Sequence, residues 1–156
     1  MNKTLQLLAS IGLAQLAGIL GAFATSSSVQ TWYPELTKPW FTPPDWLFGP
    51  AWITLYTLMG IAAWLIYRKD RSKKPVRTAL WIYAGQLALN AAWSPAFFGL
   101  RSPTLGLLVI VPLLAAITAT IAAFRRVSRL AAALLVPYLL WVLYATALNF
   151  EIWRLN

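Results

Sequence analysis

The sequence predicts an all-α membrane protein, a bundle of five transmembrane helices with a long structured loop between the first two. Three observations predict it. The chain is 60% hydrophobic, with a mean hydropathy of +0.64. Charged residues make up only 11% of it, against roughly a quarter in a soluble domain. The apolar residues fall into five runs, each close to the roughly 20 residues that cross a bilayer. A soluble fold of 156 residues cannot hide that much apolar surface, whereas lipid can solvate it. The whole chain, 1–156, reads as one such domain.

The runs lie at 4–26, 45–67, 76–98, 104–124 and 130–150. Lipid offers the backbone no hydrogen-bond partner, so closed helices are required. The alternation of a membrane barrel is absent. The first run has a rival reading as a signal peptide, because Lys3 supplies a basic start and Ala22-Phe23-Ala24 resembles a cleavage site. Against it, small residues recur every four positions at Ser10, Ala14, Gly18 and Ala22, a stripe that lets a permanent helix pack closely.

Basic residues sit between the runs. If the helices alternate, one face of the membrane holds Lys3, the 68–77 connection and Arg125, Arg126 and Arg129. The other holds Lys38, Arg101 and Arg154, giving ten against three. In a bacterial inner membrane this places the N-terminus in the cytoplasm and the C-terminus outside. The net charge of +9 is therefore a topology signal with anionic-lipid contact, not a nucleic-acid footprint.

The first connection, 27–44, carries Trp32, Tyr33, Trp40, Phe41 and four prolines, including Pro43 and Pro44. Proline stiffens it and aromatics weight it. It reads as a lid over something, or as an interfacial aromatic anchor, and one loop can do both.

The composition removes many chemistries. There is no Cys and no His, so thiol chemistry, the commonest metal ligands and the commonest general base are missing. Glu35, Asp45, Asp70 and Glu151 are the only acids. No phosphate-binding glycine loop is present, and no metal site is expected. The central spans carry no charge, which argues against an ion-coupled pump.

Nine tryptophans are an excess. An aromatic belt accounts for Trp32, Trp40, Trp46, Trp64, Trp81 and Trp153, but Trp52, Trp93 and Trp141 lie deeper in their runs. Helical spacing groups these with polar residues. Trp52 and Tyr56 share a face of the second helix. Gln86, Asn90, Trp93, Ser94 and Phe97 share one of the third. Trp141, Ala145 and Asn149, with Tyr138 beside them, share one of the fifth. Carboxamides are costly against lipid, so these faces turn inward. They read either as interhelical glue or as the wall of a cavity for a flat apolar molecule, with Ala145 a gap in the wall. Leu148 completes the candidate set.

The stretches TWYPELTKPWFTPP (31–44), GPAWITLY (49–56), QLALNAAWSPAFFG (86–99) and PYLLWVLYATALN (137–149) resemble the translocator protein family. This family is also called the tryptophan-rich sensory protein or peripheral benzodiazepine receptor family (TspO/MBR). The resemblance covers nearly the whole chain. It implies a five-helix bundle, often a homodimer, with a pocket beneath the first loop. The implied ligands are porphyrins such as protoporphyrin IX, benzodiazepine-type and isoquinoline compounds, and sterols in animal members. Carried over, Trp52 and Trp141 are the pocket tryptophans, Asn90 the polar group of the third helix, and Ala145 the small residue beside Trp141. Tyr33, Trp40, Pro43 and Pro44 belong to the closing loop. The family's C-terminal sterol motif has Phe150 here in place of its tyrosine, and an accidental match lies at Leu65, Tyr67 and Lys69.

The expected function is porphyrin binding in a receptor or sensor, with no cofactor required, and with haem lacking its usual axial ligands. Light-dependent porphyrin degradation through Trp52 and Trp141, and facilitated transport of tetrapyrroles or sterols, are the alternatives.

Overall fold

Ser10, Ala14, Gly18 and Gly60 let two long helices approach closely, and the rest of the bundle closes around that pair. In the computed structural model, which describes residues 2–156, the first helix α1 spans Lys3–Thr31. The Asn2 side chain caps it by accepting from the Leu5 amide at 2.8 Å. Its partner α2 spans Asp45–Tyr67. The Ser10 hydroxyl donates to the Gly60 carbonyl at 2.7 Å. Gln15 Nε2 donates to the Ile53 carbonyl at 2.9 Å and to Thr57 Oγ1 at 3.0 Å.

Three further rods complete the architecture. Helix α3 spans Lys74–Ser94, with Pro75 in its first turn. It runs on into a single wide turn, Pro95–Gly99, in which the Leu100 amide bonds the Pro95 carbonyl at 2.8 Å. Helix α4, Pro103–Arg125, starts at a Ser102 cap. Helices α5 (Arg129–Leu134) and α6 (Val136–Leu155) form one rod interrupted next to Pro137, which has no N–H to continue the ladder. Neighbouring pairs are α1–α2, α2–α5, α4–α6, α3–α4 and α1–α3, so the rods close into a ring.

Among the described residues all regular structure is helical. Four segments are long and apolar enough to cross a membrane: α1, α2, α4 and the joined rod Arg129–Leu155. Helix α3 is less apolar, since Lys74, Arg77, Gln86 and Asn90 dilute its hydrophobic stretch. The predicted boundaries shift in three places. Helix α1 runs five residues past Ser26, and within it Thr25 and Thr31 satisfy their hydroxyls on the Gly21 and Ser27 carbonyls at 2.7 Å. The first connection is therefore 32–44, with a short 3-10 turn at Tyr33–Glu35. The last run continues to Leu155.

Packing is uneven along the bundle. Toward the end where the basic connections lie, Met59, Ala62, Ile66, Ala79, Ile117, Phe124 and Ala131 are fully buried. That end is a solid core of interlocked side chains. The opposite end is hollow.

Candidate functional site

The hollow begins where α2 carries aromatics instead of aliphatics. Phe48, Trp52 and Tyr56 line it from α2, at spacings that keep them on one face. Asn90, Trp93 and Ser94 line it from α3, with Phe97 and Phe98 from the wide turn. Trp141, Ala145, Leu148 and Asn149 line it from α6, and Ile110 and Leu113 from α4. The cavity measures about 600 Å³, within the size range of small-molecule sites. From Asp45 to Tyr56 it reaches about 16 Å down α2, at roughly 1.5 Å per residue.

The polar groups on the inward faces bond mainly to each other. The Tyr56 hydroxyl donates to Asn90 Oδ1 at 2.6 Å. Asn90 Nδ2 donates to the Tyr138 hydroxyl at 2.8 Å, which donates in turn to Gln86 Oε1 at 2.9 Å. This chain joins α2, α3 and α6. A second link runs from Trp93 Nε1 to Asn149 Oδ1 at 3.1 Å, and from Asn149 Nδ2 to the Pro103 carbonyl at 2.9 Å. Glue and cavity wall are thus the same residues. Asn90 keeps one N–H and one lone pair beyond these bonds.

The ring geometry is defined. Tyr56 stacks on one face of Trp52, with centroids 5.4 Å apart and planes 28° apart. Trp141 meets Trp52 edge-on at 6.4 Å and 86°. The Trp141 indole N–H is buried and has no acceptor among the described residues. Asp45 is the one charged residue of the lining.

Segment 32–44 is turned two ways. Tyr33 is buried and lines the cavity. Lys38 Nζ sits 4.7 Å over the Tyr33 ring and donates to the Tyr33 and Leu36 carbonyls at 2.8 and 3.2 Å. Burial, with Asp45 and Tyr144 adding to it, pushes the Tyr33 phenol up to about 12. Trp40 points away, 94% exposed, touching only the edge of Phe41 among ring contacts. Two ties hold the segment to α6. The Thr37 backbone exchanges hydrogen bonds with the Asn156 amide at 2.9 and 3.0 Å, and the Tyr144 hydroxyl donates to the Phe41 carbonyl.

Of the residues singled out in the sequence, Tyr33, Trp52, Tyr56, Asn90, Ser94, Phe97, Trp141, Ala145 and Leu148 meet around this cavity. Trp40, Pro43 and Pro44 do not line it. Pro44 instead directly precedes α2. Unforeseen from the sequence is the wall given by α1, where Gly18, Gly21, Ala22 and Thr25 face the void. At Gly18 an added Cβ would meet Tyr56 Cδ2 at 2.9 Å, and at Gly21 it would meet Ser94 Cβ at 3.3 Å. The i, i+3/i+4 spacing of small residues was the available signal, but small residues carry no mark of what faces them. Among the described residues no three His, Cys, Asp or Glu side chains cluster as a metal site would require.

This architecture has counterparts. The TspO/MBR family profile matches residues 10–154. The chain is 45% identical to the tryptophan-rich protein TspO of Archaeoglobus fulgidus, over 97% of each chain. It is 44% identical to that of Chlorobaculum tepidum, over 100% of this chain and 99% of the other. It is 43% identical to the human translocator protein, over 90% and 86% respectively. A match over almost the full length, with the aromatic stripes of three helices converging on one cavity, makes the chain a member of the TspO/MBR family.

Proposed function

We propose that the chain is a five-span membrane receptor that binds a porphyrin such as protoporphyrin IX in the aromatic cavity. The observation that carries this is the cavity itself, apolar, about 600 Å³, and walled by Trp52, Tyr56 and Trp141. Because Trp52 and Trp141 cross nearly at right angles, a flat ring stacks on one and takes the edge of the other. The Trp141 N–H and the spare Asn90 amide capacity are the polar handles. No His or Cys is present to ligate iron, so metal-free porphyrin is preferred over ligated haem. The same cavity suits benzodiazepine-type compounds, and sterol-like molecules only without the tyrosine of the usual C-terminal motif.

The topology belongs to this proposal. Helix α3 crosses with the others because it closes the ring between α1 and α4. Its 21 residues rise about 32 Å. The N-terminus is cytoplasmic by the ten-to-three basic asymmetry, and the chain forms a homodimer as the family resemblance implies.

Titration of the purified protein with protoporphyrin IX in the dark, followed by tryptophan quenching, tests the reading. Trp52→Phe and Trp141→Phe are each expected to weaken binding about five- to tenfold, as loss of an aromatic contact worth about 1 kcal/mol implies. Saturable quenching that neither substitution changes would move the ligand elsewhere.

A second reading rests on the ring contacts Tyr56–Trp52–Trp141, a donor path to an excited porphyrin. Under illumination it predicts loss of porphyrin absorbance, abolished in the Trp52→Phe/Trp141→Phe pair at saturating ligand. Relatives are called translocator protein and tryptophan-rich sensory protein. Passive flux of porphyrin across vesicles holding this chain alone would separate transport from sensing.

A further inference from the structure

The cavity has two boundaries that differ in kind. Toward water, Tyr33 of segment 32–44 lines it, and the segment is tied to α6 through Asn156–Thr37 and Tyr144–Phe41. Toward lipid, its edge is a slit between α1 and α2. These helices are held together over their inner halves by Ser10–Gly60, by Gln15 on Ile53 and Thr57, and by the tight seat of Gly18 on Tyr56. Beyond that seat the contact opens. Ile19 and Ile53 both line the cavity, yet are 52% and 61% exposed. A residue can do both only at a rim. Ala22 and Gly49 line the cavity while exposed in the same way, and nothing lies within 4 Å of a Cβ built on Gly49. Ile19, Ala22 and Ile53 are apolar, as a rim in contact with hydrocarbon chains must be.

We infer that the α1–α2 slit is the entry port of the cavity, so that the ligand is taken from the bilayer and not from water. The inference rests on the binding reading above. It narrows the ligand to molecules that partition into membranes. It also assigns Ala22 and Gly49 as the residues whose size sets the rate of passage. A port that is narrowed slows entry and exit equally and leaves affinity alone, because affinity depends only on the end states.

The test uses the full chain in lipid nanodiscs, with protoporphyrin IX as probe and stopped-flow tryptophan quenching as readout. Gly49→Phe and Ala22→Phe place a ring in the slit. Gly12→Phe places one on α1 where a Cβ also meets nothing within 4 Å, away from the cavity lining. The expected result is a fall of tenfold or more in both association and dissociation rates for the slit variants, larger than any accompanying change in Kd, with Gly12→Phe at native rates. Asn156→Ala, which frees Thr37, leaves the rates unchanged. Faster association in Asn156→Ala, or native rates in both slit variants, would overturn the port and place entry beneath the loop. A weaker Kd at native association rate would also overturn it, making the slit part of the bound site. Lack of saturable binding to the native chain would instead overturn the binding reading, and the port with it.

Discussion

Alanine at Gly60 is expected to lower stability by about 2 kcal/mol, while alanine at Gly12 raises it by up to about 1 kcal/mol. The two substitutions add the same methyl to a helix and gain the same propensity. What differs is the space that receives it. At Gly12 a Cβ meets nothing within 4 Å. At Gly60 it meets the backbone of Ile11, with the Ile11 amide nitrogen at 2.8 Å. Backbone cannot rotate aside, so α1 must move outward. That movement breaks the Ser10–Gly60 hydrogen bond and strains the Gln15 bridge to α2. Thermal unfolding in detergent is the measurement. A Gly60→Ala protein that melts with the native one would mean that α1 is not seated on α2 as described.

The two glycines also show where the sequence stops being informative. Nothing about Gly12 and Gly60 as letters separates them, because a missing side chain leaves no periodic signal. The small-residue stripe of α1 announced a close contact but not its partner. The aromatic faces were legible for the opposite reason. The Asn90 carboxamide is costly against lipid, so its face of α3 turns inward, and Trp52, Tyr56, Trp93 and Trp141 converge with it on one void. Tyr56 and Asn90 were legible as a donor or an acceptor, yet their bond to each other required the three-dimensional arrangement.

Segment 32–44 was legible in stiffness and not in direction. Its prolines indicate a defined path, but Tyr33 turns in and Trp40 turns out. Alternation within so short a segment goes with a local tie, Lys38 onto the Tyr33 carbonyl, and with the Asn156–Thr37 tie, which joins residues 119 apart in sequence. Hydropathy falls at Ser26 and places the end of α1 there, whereas the helix continues to Thr31, whose hydroxyl is satisfied by the Ser27 carbonyl. Helix α3 carries the same ambiguity. The residues that dilute its hydropathy, Gln86 and Asn90, are buried inside the bundle and never meet lipid.

Ala145→Phe is expected to abolish porphyrin binding while leaving the fold intact, a hundredfold or greater loss of affinity, about 2.7 kcal/mol. Ala145 lies one turn beyond Trp141 on α6 and is a small residue in the cavity wall. A phenyl ring there is directed to the cavity that Ala145 lines. It occupies the volume that a flat ligand needs next to Trp141. The added apolar surface is buried within the bundle, so the unfolding temperature is expected to hold or rise. This separates the site from the scaffold, since Gly60→Ala loses stability and Ala145→Phe loses only binding. Quenching titration and thermal unfolding on the same preparation check both halves. Native affinity in Ala145→Phe would show that the ligand does not use the space between Trp141 and Asn149. Lost binding accompanied by a lower unfolding temperature would show that α6 cannot accept the ring, and Ala145 would then be a packing residue.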